Sequence, residues 1–115
     1  QHGSHAVLPL SDAISGRYAP QIVAAALKYR LPGIHYSRTY INAGGGSLLS
    51  YGPDFLEQGK RAAVFVDRIM NGASPATMPV EQPTHFALII NLKAARAFGL
   101  TIADSLLGRA DELIE

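Results

Sequence analysis

The sequence predicts an α/β fold: a parallel sheet flanked by helices. Three observations predict it. Short apolar runs alternate with segments of helical period along the whole chain. The runs are continuously apolar rather than alternating, as strands buried on both faces are. Gly, Pro, Ser and Asp punctuate the units. The clearest unit is residues 47–72, SLLSYGPDFLEQGKRAAVFVDRIMNG. Leu48-Leu49 gives a strand, and Gly52-Pro53 a turn. Pro53 suits a first helical turn, where its missing N–H costs nothing. Ala62, Ala63, Val66, Ile69 and Met70 recur three and four apart, and Gly72 falls where a helix ends.

At 115 residues the chain is at most one ordinary domain. A hydrophobic share of 48% with 17% charged residues describes a folded chain, not a disordered one. A net charge of +1, with no basic cluster beyond Lys60-Arg61, gives no electrostatic case for nucleic acid. No apolar run approaches the roughly 20 residues that span a bilayer. The chain has no cysteine, which excludes disulfides, thiol catalysis and cysteine-ligated zinc. Residues 1–5, QHGSH, lack the basic and apolar regions of a signal peptide and read as a tag remnant. The expected domain is residues 6–115.

In chain order, residues 6–10 form an apolar run that empties into polar Ser11-Asp12, with Pro9 favouring an edge or a strand end. Ala19, Ile22, Val23, Ala26 and Leu27 predict a helix, with Lys28 and Arg30 in its last turn and Leu31-Pro32 stopping it. Residues 33–36 predict a second strand, and residues 40–43 one helical turn before Gly44-Gly45-Gly46. Pro75, Pro79 and Pro83 make residues 73–84 an extended connection. Residues 86–90 are the strongest strand signal, expected to be buried on both faces. Residues 93–98 predict a short helix closed by Gly99, and residues 101–115 a tail with one or two amphipathic turns.

In parallel sheets ligands sit beyond the carboxyl ends of the strands. The candidate site is therefore Ser11 and Asp12, Tyr36 and Ser37, and Tyr51 and Gly52, at three successive strand ends. Asp12 reads equally as a helix N-cap and as a partner for a ligand ammonium group. The tyrosines read as rim residues or as ligand-stacking groups. No catalytic motif and no metal-ligand spacing occurs, and no cofactor is implied. His35 reads as a packed, hydrogen-bonded histidine rather than a base, and His85 as structural or exposed. The glycine run precedes a strand rather than a helix, so it reads as a turn or hinge, not a phosphate cradle.

Residues 44–115 resemble the C-terminal part of the ABC transporter substrate-binding proteins related to the tryptophan-binding type. The resemblance rests on order and spacing: a glycine pair leading into Ser50-Tyr51-Gly52, a Gly-x-x-Pro turn at residues 72–75, PVEQPT at 79–84, Ile90-Asn91-Leu92, Gly99-Leu100, and RADE at 109–112. It implies one lobe of a type I periplasmic-binding-protein-like fold, a non-enzyme that holds an amino acid or similar small organic ligand between two lobes. Implied partners are an ABC permease and a missing N-terminal lobe. It places the protein in the periplasm or outside the cell, membrane-associated through the transporter. It also points to Asp12 for an amino group, with Ser11, Tyr36, Ser37 and Tyr51 lining the wall. Where relatives carry Arg-Glu-Phe this chain has Arg38-Thr39-Tyr40, a departure in that loop. The rival reading is a ligand-sensing or interaction module of a signalling protein with the same fold. A lobe without its partner is expected to form a homodimer or swapped assembly.

Overall fold

The structure, a computed structural model, describes residues 3–115. Gln1 and His2 of the expected tag remnant lie outside the described residues. Contacts divide the chain into two compact units: one runs up to Gly52 and includes Ala87–Glu115, the other is Pro53–Phe86.

The first unit is built on a four-stranded sheet. Its strands are β1 (Gly33–His35), β2 (Ser47–Pro53), β3 (Phe86–Asn91) and β4 (Glu112–Ile114), in the order β1-β2-β3-β4. β1 and β2 are parallel, with His35 opposite Ser50, and β3 and β4 are parallel, with Ile90 opposite Leu113. The run at residues 6–10 is not a full strand. Only Val7 bridges, in parallel, to Gly33, while Leu8 and Leu10 are exposed. Pro9 has no N–H for a ladder, so pairing ends beside it.

Five helices belong to this unit: α1 (Ala13–Arg17), α2 (Ala19–Lys28), α3 (Arg38–Asn42), α5 (Leu92–Phe98) and α6 (Asp104–Leu107). α1 stands where the sequence suggested a polar loop, because the Asp12 side chain caps it. α2 ends with Leu31 N–H on the Ala26 carbonyl at 2.8 Å and with Arg30 at φ 53°. A non-glycine residue there costs about 1–2 kcal/mol, and with no glycine present the sequence carried no signal for it. Apolar packing forms two clusters. Ala19, Val23 and Tyr40 join α2 to α3, and Leu48, Ala94 and Ala95 join β2 to α5.

Two further expectations are corrected. The tail contributes β4, pinned by mutual bonds in which Asp111 N–H donates to the Leu88 carbonyl at 2.9 Å and Leu88 N–H to the Asp111 carboxylate at 2.7 Å. Three strand residues beside a four-residue helix are too short to show periodicity. β3 is buried only from Ile89 onward; Phe86 is exposed.

The second unit is α4 (Phe55–Met70), a 3₁₀ turn (Pro75–Thr77) and an extended return. Pro53 closes β2 rather than opening α4. Asp54 is the N-cap, accepting from Leu56 N–H at 2.8 Å, and so moves the helix start past the proline. Gly72, at φ 94°, takes the left-handed position after the helix, as expected. α4 buries no residue, and its expected stripe, including Val66, Ile69 and Met70, is exposed. Among the described residues no helix is long and apolar enough to cross a membrane.

Candidate functional site

The site assembles where Val7, β1 and β2 end. Asp12 leaves the Val7 segment in extended backbone and caps α1, its Oδ1 accepting from Ser15 N–H at 2.6 Å. That bond holds the Asp12 carboxyl below the usual carboxylate range. The carboxylate is exposed and accepts at both oxygens, so capping does not by itself exhaust its acceptor capacity.

Tyr36 follows β1 directly, and its hydroxyl donates to the Asp12 backbone carbonyl at 2.9 Å. Gly52 lies beside it on β2. A Cβ built on Gly52 would sit 1.9 Å from the Tyr36 carbonyl oxygen, so only glycine admits this approach. Tyr36 thus touches the Asp12 backbone through its hydroxyl and the Gly52 position through its carbonyl. Ser37 continues from Tyr36 and caps α3, accepting from Thr39 N–H at 3.2 Å. Ser11 is exposed next to Asp12 along the chain, and Tyr51 is 57% exposed next to Gly52.

Beneath these residues lies a layer that sequence reasoning left unused. His35 is 1% exposed, and its Nδ1 is 2.8 Å from the Ser47 hydroxyl. Its ring stacks on Tyr40 at 4.4 Å, and Tyr40 meets the edge of Tyr36 at 5.4 Å. His35 Nε2 is buried without a hydrogen-bond partner. Burial pushes the His35 pKa down and the Tyr40 pKa up. At the end of β3, buried Asn91 caps α5, accepting from Ala94 N–H at 2.9 Å. An asparagine closing an apolar run was the available signal for it.

Other candidates separate from the site. Gly46 would place a Cβ 2.2 Å from the Val23 carbonyl oxygen, so the glycine run serves the approach of β2 to α2. Arg38 pairs with Glu112 through both guanidinium nitrogens, which holds the Glu112 carboxyl below its usual range. Among the described residues no three metal-ligating side chains gather. Within the second unit an open groove of about 1150 Å³ runs between α4 and the extended return, lined by Arg61, Phe65, Ile69, Met78 and Glu81 among others. It contains none of the strand-end residues.

A mostly parallel sheet with polar groups gathered at the strand ends is the architecture of periplasmic-binding-protein-like domains. The family model described as ABC transporter substrate binding protein matches residues 3–114, and the chain belongs to that family. A comparison with curated protein sequences finds no match. Among solved structures, a conserved domain protein from Vibrio cholerae O1 biovar El Tor superposes with a TM-score of 0.88 at 26% identity. That match covers 96% of this chain and 36% of the other. An ABC domain in complex with L-Trp from Streptococcus pneumoniae gives a TM-score of 0.83 at 25% identity, over 96% of this chain and 38% of that one. A ligand-free, open substrate-binding protein with adhesive properties from Clostridium difficile shares the fold, with a TM-score of 0.60 at 19% identity over 91% and 34%. The chain thus spans little more than a third of the length of these proteins.

Two outcomes follow from the geometry. Gly52→Ala must push β2 off the Tyr36 carbonyl, and overpacking of this kind costs about 1–3 kcal/mol. A lowered urea midpoint will show it. Because the folded His35 pKa lies below the unfolded value, the unfolded chain takes up the proton first. Stability is therefore full above about pH 6.5 and falls as pH drops below that value. Urea unfolding at pH 7.5 and 5.0 will show the loss, and His35→Phe will reduce it.

Proposed function

We propose that this chain is the ligand-facing, C-terminal lobe of a solute-binding component of an ABC import system, holding an amino acid without converting it. The observation that carries the reading is the contact of Tyr36 with both Asp12 and Gly52 at the strand ends, with an exposed, ionised Asp12 carboxylate on the same residue whose carbonyl the Tyr36 hydroxyl reaches. A carboxylate held in its charged form suits an α-ammonium group, and a tyrosine wall suits an apolar or aromatic side chain. The structural relative that carries L-Trp makes an aromatic amino acid the first ligand to test. Tyr51, Ser37 and Ser11 complete the proposed wall, and a second lobe, closing over it, excludes water and strengthens these contacts. The delivery partner is a membrane permease, and the setting is the periplasm or the cell exterior.

Asp12→Asn separates capping from binding, since asparagine also caps helices. In the full-length protein it is expected to cost about 2–5 kcal/mol of L-tryptophan affinity by calorimetry, because the ligand ammonium loses its charged partner. The unfolding midpoint is expected to stay close to that of the parent. Unchanged affinity would remove Asp12 from the site.

The exposed apolar residues of α4, Met70 at 81% among them, support a further part of the protein as their cover. In isolation the chain is expected to self-associate as a dimer or swapped assembly. Sedimentation velocity across a concentration series reads this directly, and a monomer throughout would refute it.

A further inference from the structure

We propose that the buried pair His35 and Tyr40 is a positioning device for the Asp12 end of the site, transmitting the state of the His35 ring through Tyr40 and Tyr36 to the Asp12 carbonyl. The inference rests on the ligand wall proposed above and deepens it. Its path is continuous. Ser47 on β2 holds His35 Nδ1 at 2.8 Å, and His35 stacks nearly parallel to Tyr40 at an interplanar angle of 24°. Tyr40 abuts the Tyr36 edge at 68°, and the Tyr36 hydroxyl reaches the Asp12 carbonyl at 2.9 Å. Asp12 and Ser15 form the start of α1, so any tilt of Tyr36 acts on the cap that orients the carboxylate.

His35 has no slack in this arrangement. Gly33 lies so close that an added Cβ would meet His35 Cε1 at 2.5 Å, with Val7 Cγ1 at 3.0 Å from the same point. Nε2 has no hydrogen-bond partner, and although the Leu49 carbonyl favours the charged ring, burial outweighs it and keeps the ring neutral. The groups facing His35 include Ser47 and the Leu49 carbonyl from β2, Tyr40 from α3, and Gly33 and Val7; the charged group acting on the far end of the column is the Asp12 carboxylate, felt by Tyr40. A protonated ring must turn or draw in water, and Tyr40, packed against Ala19 and Val23, moves with it.

The test needs no ligand. Two-dimensional amide NMR of this chain between pH 8 and 5 follows the His35 imidazole and the Asp12, Ser15 and Gly16 amides together. Asp12 stays ionised over that window, since its carboxyl lies below the usual range. The three amides are expected to shift with the His35 midpoint. The shifts are expected to vanish in His35→Phe and in Tyr40→Leu, and to persist in Tyr40→Phe, which keeps the ring. Amides that stay still while His35 titrates, or that titrate unchanged in His35→Phe, would overturn the proposal. In the full-length protein, L-tryptophan affinity is expected to weaken about fivefold from pH 7.5 to 5.5, the low end of site-to-site couplings. His35→Phe is expected to flatten that profile. Absence of L-tryptophan binding at every pH would overturn the ligand reading, while the amide titration decides the coupling by itself.

Discussion

The approach of β2 to the end of β1 is the constraint on which the rest of the first unit depends. Gly52 meets the Tyr36 backbone at a distance no side chain tolerates, and that contact fixes where the loop after β1 turns. From there the Tyr36 hydroxyl reaches back 24 residues to Asp12 and closes the loop onto the start of α1. One hydrogen bond of this kind is worth only about 0.5–1.5 kcal/mol net. Its weight comes from position: it joins the first strand end to the second, and the glycine joins the second to the third. Through these two long-range contacts Tyr36 ties together the segments after Val7, β1 and β2.

Polar atoms under that cluster are handled unevenly. Ser47 is hydrogen-bonded, whereas His35 Nε2 and the Tyr40 hydroxyl are sealed without a partner of normal geometry. Natural cores leave few such atoms, and each one calls for an explanation. An apolar pair would fill the same volume with no desolvation penalty. A ring that changes its proton affinity on burial, placed behind the proposed ligand wall, is the kind of exception that calls for a functional reason.

Much of the fold was legible because its signals are local. Alternation of apolar runs with helical stripes identified α2, α4, α5, β1, β2 and β3, and the strand-end rule selected Asp12, Tyr36 and Gly52 before any distance was known. What stayed hidden was short or non-local. α1 depends on the Asp12 cap, which was weighed as one of two roles. β4 is three residues long and gains its place from Asp111 and Leu88 across the sheet. The left-handed turn at Arg30 carries no glycine. The column from His35 to Tyr36 is invisible in sequence because residues 35, 36 and 40 meet only once α3 folds back over β1. Family likeness implied a two-lobed context, which periodicity alone does not contain.

The second unit carries a consequence of its own. α4 is capped at both ends and stitched along its surface by Lys60–Glu57 and Arg61–Glu81, yet it buries no residue. Exposed ion pairs add at most about 1 kcal/mol each, and a helix of this length holds only marginally in water without tertiary packing. Its amides therefore exchange with solvent through low-energy local openings, long before those of the sheet. A protease meeting the isolated chain will nick it between Pro53 and Phe86 first, and what resists digestion will be the sheet unit with its strand-end cluster.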